Sequence, residues 1–199
     1  RAAFPNQGQI CLCGSRVFVE RPIYDEFLAR FLDRAKQLKV GDPLDASTDL
    51  GSLVSREHRA KVASYVALAR EEGGTVVLGG NSIDRVSDRC ANGAFFEPTV
   101  ITGLSPTCRT QQEEIFGPVV TITPFDDEAQ AVEFANCTKY GLASTVWTRD
   151  LSRAHRVAAQ IDAGIVWVNC WMLRDLRTPF GGVTHSGVGR EGGDEALRF

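Results

Sequence analysis

Apolar residues at Phe27, Leu28, Phe31, Leu32, Ala35 and Leu38 recur at three- and four-residue intervals, and this period predicts a helix over 23–38 with a charged opposite face. Pro22 suits its first turn, where a missing amide costs nothing. Gly41, Asp42 and Pro43 end that helix and open a polar loop to Asp49. Ser55 then stands as the N-cap of a second helix reaching Glu72, which Gly73 and Gly74 close. Elsewhere the helical period gives way to shorter, near-continuous apolar runs. Residues 15–20 read as a strand, 75–78 as a short buried strand, 79–93 as a polar surface excursion and 119–125 as a second β-rich run. Asp126 and Asp127 introduce a helix through Ala135. A strand at 143–147, a helix at 151–161 and an apolar strand at 165–168 complete the alternation.

Near-continuous apolar strands separated by amphipathic helices predict an α/β fold, a largely parallel sheet sandwiched by helices, because such strands are buried on both faces. In these sheets reactive loops gather at strand ends. With 199 residues, 43% of them hydrophobic, the chain can form one well-cored domain, and it shows no repeat, low-complexity tract or linker. A single domain over 1–199 is therefore expected.

The net charge of −3 argues against a nucleic-acid or membrane-surface binder, whose footprint would be basic. No apolar run is long enough to span a bilayer, and no secretory pattern is present. Cys11, Cys13, Cys90, Cys108, Cys137 and Cys170 are scattered through a chain too large to need disulfide staples, which points to a reducing, cytoplasmic setting. His58, His155 and His185 form no ligand-spaced cluster with them, so no metal site is expected.

Candidate chemistry begins at residues 4–11, Phe-Pro-Asn-Gln-Gly-Gln-Ile-Cys. Small and polar neighbours let Cys11 sit partly exposed where a loop enters a strand, the setting a nucleophilic thiolate needs. The competing local reading is a buried structural cysteine. Two further strings stand downstream: Glu113-Glu114-Ile115-Phe116-Gly117-Pro118, and Pro179-Phe180-Gly181-Gly182 leading to Ser186-Gly187-Val188-Gly189-Arg190-Glu191. Taken without the others, Glu114 would be read as a helix-end charge and Phe116 as core.

These three motifs, in this order, resemble the aldehyde dehydrogenase superfamily along essentially the whole chain. The resemblance implies that Cys11 adds to an aldehyde, that the thiohemiacetal delivers hydride to NAD (NADP is not excluded), and that water hydrolyses the thioester to an acid. It further implies that Glu114 holds the nicotinamide ribose hydroxyls and that Phe116 packs near the nicotinamide. The Cys11 N–H would be one oxyanion donor. Lys61 matches a position that often meets the adenosine ribose, whereas His58 departs from the usual glutamine and Thr184 from the usual lysine.

The string Trp171-Met172-Leu173-Arg174-Asp175-Leu176-Arg177-Thr178-Pro179-Phe180 is similar to members of the family acting on 2-hydroxy- and 2-aminomuconic semialdehydes. There Arg174 is expected to clamp a substrate carboxylate, with Phe180 and Leu12 as apolar substrate contacts, while Arg177 pairs with Asp175 or faces solvent. Two surface ion-pair arginines and a neutral aldehyde are the alternative. By the same resemblance, the oxyanion asparagine, the general-base glutamate and the whole dinucleotide-binding domain would precede Arg1, and a final assembly strand would follow Phe199. The intact enzyme is expected to be a homo-oligomer, and the isolated chain to turn over negligibly. A purely structural fragment and, more distantly, a cysteine hydrolase are the other classes, although no histidine lies in a motif that would serve the latter.

Overall fold

Along Thr99–Thr102 and Val119–Phe125 successive side chains turn to opposite faces of one sheet, and both faces are dry. Val100, Val120 and Ile122 belong to one apolar cluster, Ile101 and Val119 to the other. The computed structural model describes residues 2–198. It divides into two compact units, Arg1–Phe125 and Asp126–Phe199. The division falls directly between a strand and a helix, with no shift in composition to betray it.

The first unit runs β1 (Arg16–Glu20), α1 (Tyr24–Ala35), α2 (Arg56–Glu71), β2 (Thr75–Leu78), β3 (Ser82–Ile83), β4 (Phe95–Phe96), β5 (Thr99–Thr102), α3 (Arg109–Gln112) and β6 (Val119–Phe125). Its main sheet has the order β1-β6-β5-β2. The first three strands are parallel, and β2 joins β5 antiparallel. Phe27, Leu28, Phe31 and Leu32 of α1 cover one face. Val62, Val66 and Ala69 of α2 cover the other. This is the two-sided burial a parallel sheet requires.

The second unit comprises α4 (Glu128–Asn136), β7 (Tyr140–Gly141), β8 (Ala143–Val146), α5 (Leu151–Ala158), β9 (Ile165–Val168) and β10 (Val183–Thr184). β8 and β9 are parallel, β7 and β10 antiparallel. Arg156 of α5 grips Glu128 of α4 through Nε and Nη2 at 2.6 and 2.8 Å.

Caps fix the helix starts. Ser55 Oγ accepts from His58 N at 3.1 Å, and Asp127 Oδ1 accepts from Gln130 N at 2.9 Å, satisfying amides that a helix start leaves open. Pro22 sits in a 3-10 turn, Arg21–Ile23, that leads into α1. The helix expected to reach residue 38 stops at Ala35, and the one expected to reach 161 stops at Ala158. β2 proves to be a partly exposed edge strand rather than a buried one. The central strand β5, only four residues long and directly after Pro98, is not anticipated.

The short α3 is capped from a distance. Glu72, at the end of α2, accepts from Arg109 N at 2.9 Å, Thr110 N at 3.1 Å and Thr110 Oγ1 at 2.6 Å. Burial pushes the Glu72 carboxyl up, but these hydrogen bonds together outweigh it and hold the group below its ordinary value. So anchored, α3 delivers the chain to residues 113–118. Among the described residues no helix is long and apolar enough to cross a membrane.

Candidate active site

Asn6, Gln7 and Gly8 take three consecutive left-handed φ values of 49°, 58° and 71°. Such a run strains glutamine in particular, so surrounding contacts must enforce it. Asn6 Nδ2 donates to Gln9 O at 3.0 Å. Gln7 bridges to a distant segment, its Nε2 donating to Ser52 O at 3.1 Å and its Oε1 accepting from Gly51 N at 3.1 Å. Gly8 lies against Gly117, so close that a Cβ on Gly8 would fall 2.0 Å from Gly117 O. Phe4 is buried, its ring 6.0 Å from that of Phe31. At the far end Thr121 N donates to Ser15 O at 2.9 Å, tying the loop to β6.

Held on both sides, the loop leaves Cys11 exposed. Among the described residues its backbone N–H has no acceptor. Cys13, two residues on, has a different setting: its sulfur turns to Pro5 O at 3.8 Å, and burial, aided by the adjacent Cys11, pushes its thiol up to about 11 against the backbone contact with Ile10. One turn of chain thus carries an accessible sulfur and one kept as a thiol. Leu12, expected as a substrate contact, is only 7% exposed.

The Gly8 contact brings residues 113–118 beside this loop. Glu113 is fully engaged, taking Tyr65 OH at 2.6 Å and Arg109 Nε at 2.8 Å. Glu114 next to it is exposed, and among the described residues its carboxylate has no partner. Phe116 is half-buried with a left-handed φ of 59°. Two side chains of α2 hold this backbone: Lys61 Nζ donates to Glu114 O at 2.9 Å, and His58 Nε2 stands 2.7 Å from Phe116 O. A carbonyl only accepts, so that imidazole nitrogen carries the proton. A Cβ on Gly117 would sit 2.6 Å from Val62 Cγ2, so the loop also packs directly on α2.

In the second unit the chain after β9 turns through Asn169 and Met172, both left-handed at 55° and 63°, and Trp167 Nε1 donates across the turn to Leu173 O at 2.9 Å. Arg174 and Phe180 come together: the guanidinium carbon lies 4.0 Å from the ring centroid. Arg174 Nη2 also donates to Glu191 Oε1 at 2.9 Å. Arg177 pairs with Asp175 at 2.5 to 3.2 Å and also faces solvent, so the two fates expected for it coincide. Arg174 and Phe180 border an open hollow of about 310 Å³ with Ile165, Val166, Trp167 and Pro179. Thr184, in the place usual for lysine, takes a left-handed φ of 54°, and its Oγ1 donates to Lys139 O at 2.7 Å.

Sequence reasoning missed Gln7, the His58 contact to Phe116 and the Glu191 partner of Arg174. Glu191 stood in a quoted motif, but nothing local in the sequence pairs it with an arginine 17 residues away.

The model of the aldehyde dehydrogenase family matches residues 1–199. A 2-aminomuconic 6-semialdehyde dehydrogenase from Pseudomonas sp is 55% identical over all of this chain and 40% of its own length. A 2-hydroxymuconic semialdehyde dehydrogenase from Pseudomonas sp. (strain CF600) is 53% identical over all of this chain and 41% of its own. Among solved structures, betaine aldehyde dehydrogenase from Staphylococcus aureus in complex with NAD+ superposes with a TM-score of 0.94 at 43% identity, covering 99% of this chain and 39% of that one. The chain spans about 40% of the length of the curated relatives it matches.

Proposed function

The chain belongs to the aldehyde dehydrogenase family, and on that footing we propose that it is the nucleophile-bearing part of an enzyme that oxidises a carboxylate-bearing semialdehyde, of the 2-amino- or 2-hydroxymuconic type, to the acid with NAD. The observation that carries this reading is Cys11, an exposed sulfur on a loop whose backbone is pinned on both sides. A fixed nucleophile converts a chance encounter into an oriented attack.

Cys11 Sγ adds to the aldehyde carbon, and the free Cys11 N–H is offered to the oxygen that gains charge. Glu114 and Phe116 fit a nicotinamide nucleoside: an exposed, unpartnered carboxylate accepts from two ribose hydroxyls, and a half-buried aromatic ring flanks a planar one. When bound, NAD supplies the hydride acceptor. Lys61 and His58 keep both residues at their posts through the backbone. Water then releases the acid from the Cys11 thioester. The general base, the second oxyanion donor and most of the cofactor site are proposed to belong to an N-terminal domain of the intact enzyme, a homo-oligomer. Six free thiols support a reducing, cytoplasmic setting.

Arg174 is the proposed carboxylate clamp, and Phe180 the surface that orients it. Charge-assisted hydrogen bonds from a guanidinium to a carboxylate contribute about 1.5 to 3 kcal/mol. In the intact enzyme Arg174→Ala is therefore expected to raise KM for the acidic semialdehyde about 10- to 100-fold, and KM for a neutral aldehyde of similar size by less than about twofold. Steady-state kinetics on both substrates check this. Equal effects would leave Arg174 as a surface ion-pair residue and favour the neutral-aldehyde reading.

A further inference from the structure

We infer that Glu191 is a specificity-determining residue of the same site: a built-in carboxylate that holds Arg174 in place and tunes how strongly it takes a second carboxylate. The inference rests on the clamp reading of Arg174 and extends it to a residue that reading does not use.

Arg174, Phe180 and Glu191 form one assembly. The guanidinium lies over the Phe180 ring at 4.0 Å and donates from Nη2 to Glu191 Oε1 at 2.9 Å. Phe180 and Glu191 in turn exchange backbone hydrogen bonds, Phe180 N to Glu191 O at 2.7 Å and Glu191 N to Phe180 O at 2.8 Å. The neighbour Arg190 is fixed as well, its Nη1 donating to Gly182 O and Gly189 O at 2.8 Å each. Glu191 therefore has a fixed backbone and a solvent-facing head: its side chain is 65% exposed against 25% for Arg174.

A guanidinium offers five N–H donors in a planar fork, and the contact with Glu191 runs from one nitrogen to one oxygen. The remaining donors can receive a substrate carboxylate without breaking it. That carboxylate must then share the cation with a like charge, and the repulsion weakens its binding. Glu191 thus orders the fork while limiting its grip on an acid, which also eases departure of a product carrying one carboxylate more than the substrate.

The test is a set of variants of the intact enzyme assayed on an acidic semialdehyde and a neutral aldehyde, with inhibition by an unsaturated six-carbon diacid as a binding readout. Glu191→Gln keeps shape and acceptor but removes the charge. It is expected to lower both KM for the acidic substrate and Ki for the diacid about 3- to 10-fold, the size of one like charge removed at a partly exposed site. The neutral KM should move less than about twofold. Glu191→Asp, which keeps the charge, should retain the wild-type ratio of acidic to neutral KM. Placed on Arg174→Ala, Glu191→Gln should change nothing further. Equal shifts for both aldehydes, an Asp variant as far from wild type as Gln, or an undiminished effect on Arg174→Ala would overturn the inference and leave the clamp standing. An unchanged acidic-to-neutral KM ratio in Arg174→Ala alone would overturn the clamp and the inference together.

Discussion

Cys11→Ala is expected to lower turnover of the intact enzyme by roughly 10⁴- to 10⁶-fold, as removal of a covalent nucleophile does elsewhere, while changing stability by less than about 0.5 kcal/mol. The two halves of the prediction come from one observation. Cys11 is exposed, so truncating it creates no cavity; and in the proposed mechanism it is the sulfur that adds to the aldehyde, so its loss removes the thiohemiacetal step. Cys13 cannot substitute, because its thiol is half-buried, turned to Pro5 O and pushed up to about 11. Cys13→Ala should accordingly retain most of the turnover. Kinetics on both variants, with thermal unfolding as the control, check this, and a Cys11→Ala enzyme with more than a few per cent of wild-type activity would contradict it.

Gly8→Ala should damage the enzyme by another route, through stability first. An added methyl would stand 2.0 Å from Gly117 O and 2.4 Å from Gly117 C, both backbone atoms, at a residue whose φ is +71°. Left-handed alanine costs about 1 to 2 kcal/mol, and overpacking against groups that cannot swing aside adds about 1 to 3 kcal/mol. The expected loss is therefore about 2 to 5 kcal/mol in denaturant unfolding. Relief requires the nucleophile loop to part from residues 113–118, so Cys11 and Glu114 lose their common frame, and turnover should fall at least tenfold even where the protein stays folded. Gly14→Ala is the matched control: its Cβ would meet nothing nearer than Ala2 O at 3.9 Å. Equal tolerance of the two substitutions would show that the Gly8 contact does not fix the site.

How far the sequence discloses this arrangement depends on the range of each interaction. The helices α1 and α2 are legible because their apolar period and the Ser55 cap are local signals. β6 is legible as a run rich in β-branched residues. β5 is not, since between Pro98 and Gly103 only four residues remain, and its burial comes from neighbours distant in sequence. β2 has the composition of a buried strand but ends the sheet, which no local pattern reveals. At the site, Cys11, Glu114 and Phe116 stand in recognisable strings. The left-handed run at Asn6, Gln7 and Gly8 does not declare itself, because what stabilises it lies at Gly51, Ser52 and Gly117. The Arg177 pairing is one of the two outcomes the sequence offers, since Asp175 lies two residues away. The Arg174 pairing with Glu191 was hidden by the 17 residues between them.

The most direct test is to quench the intact enzyme during turnover of an acidic semialdehyde with NAD and map covalent adducts by peptide mass spectrometry. The expected result is an acyl group, heavier by the substrate acid less water, on the peptide containing Cys11 and on that sulfur. An adduct on another cysteine, or steady turnover with Cys11 unmodified at every time sampled, would contradict the account.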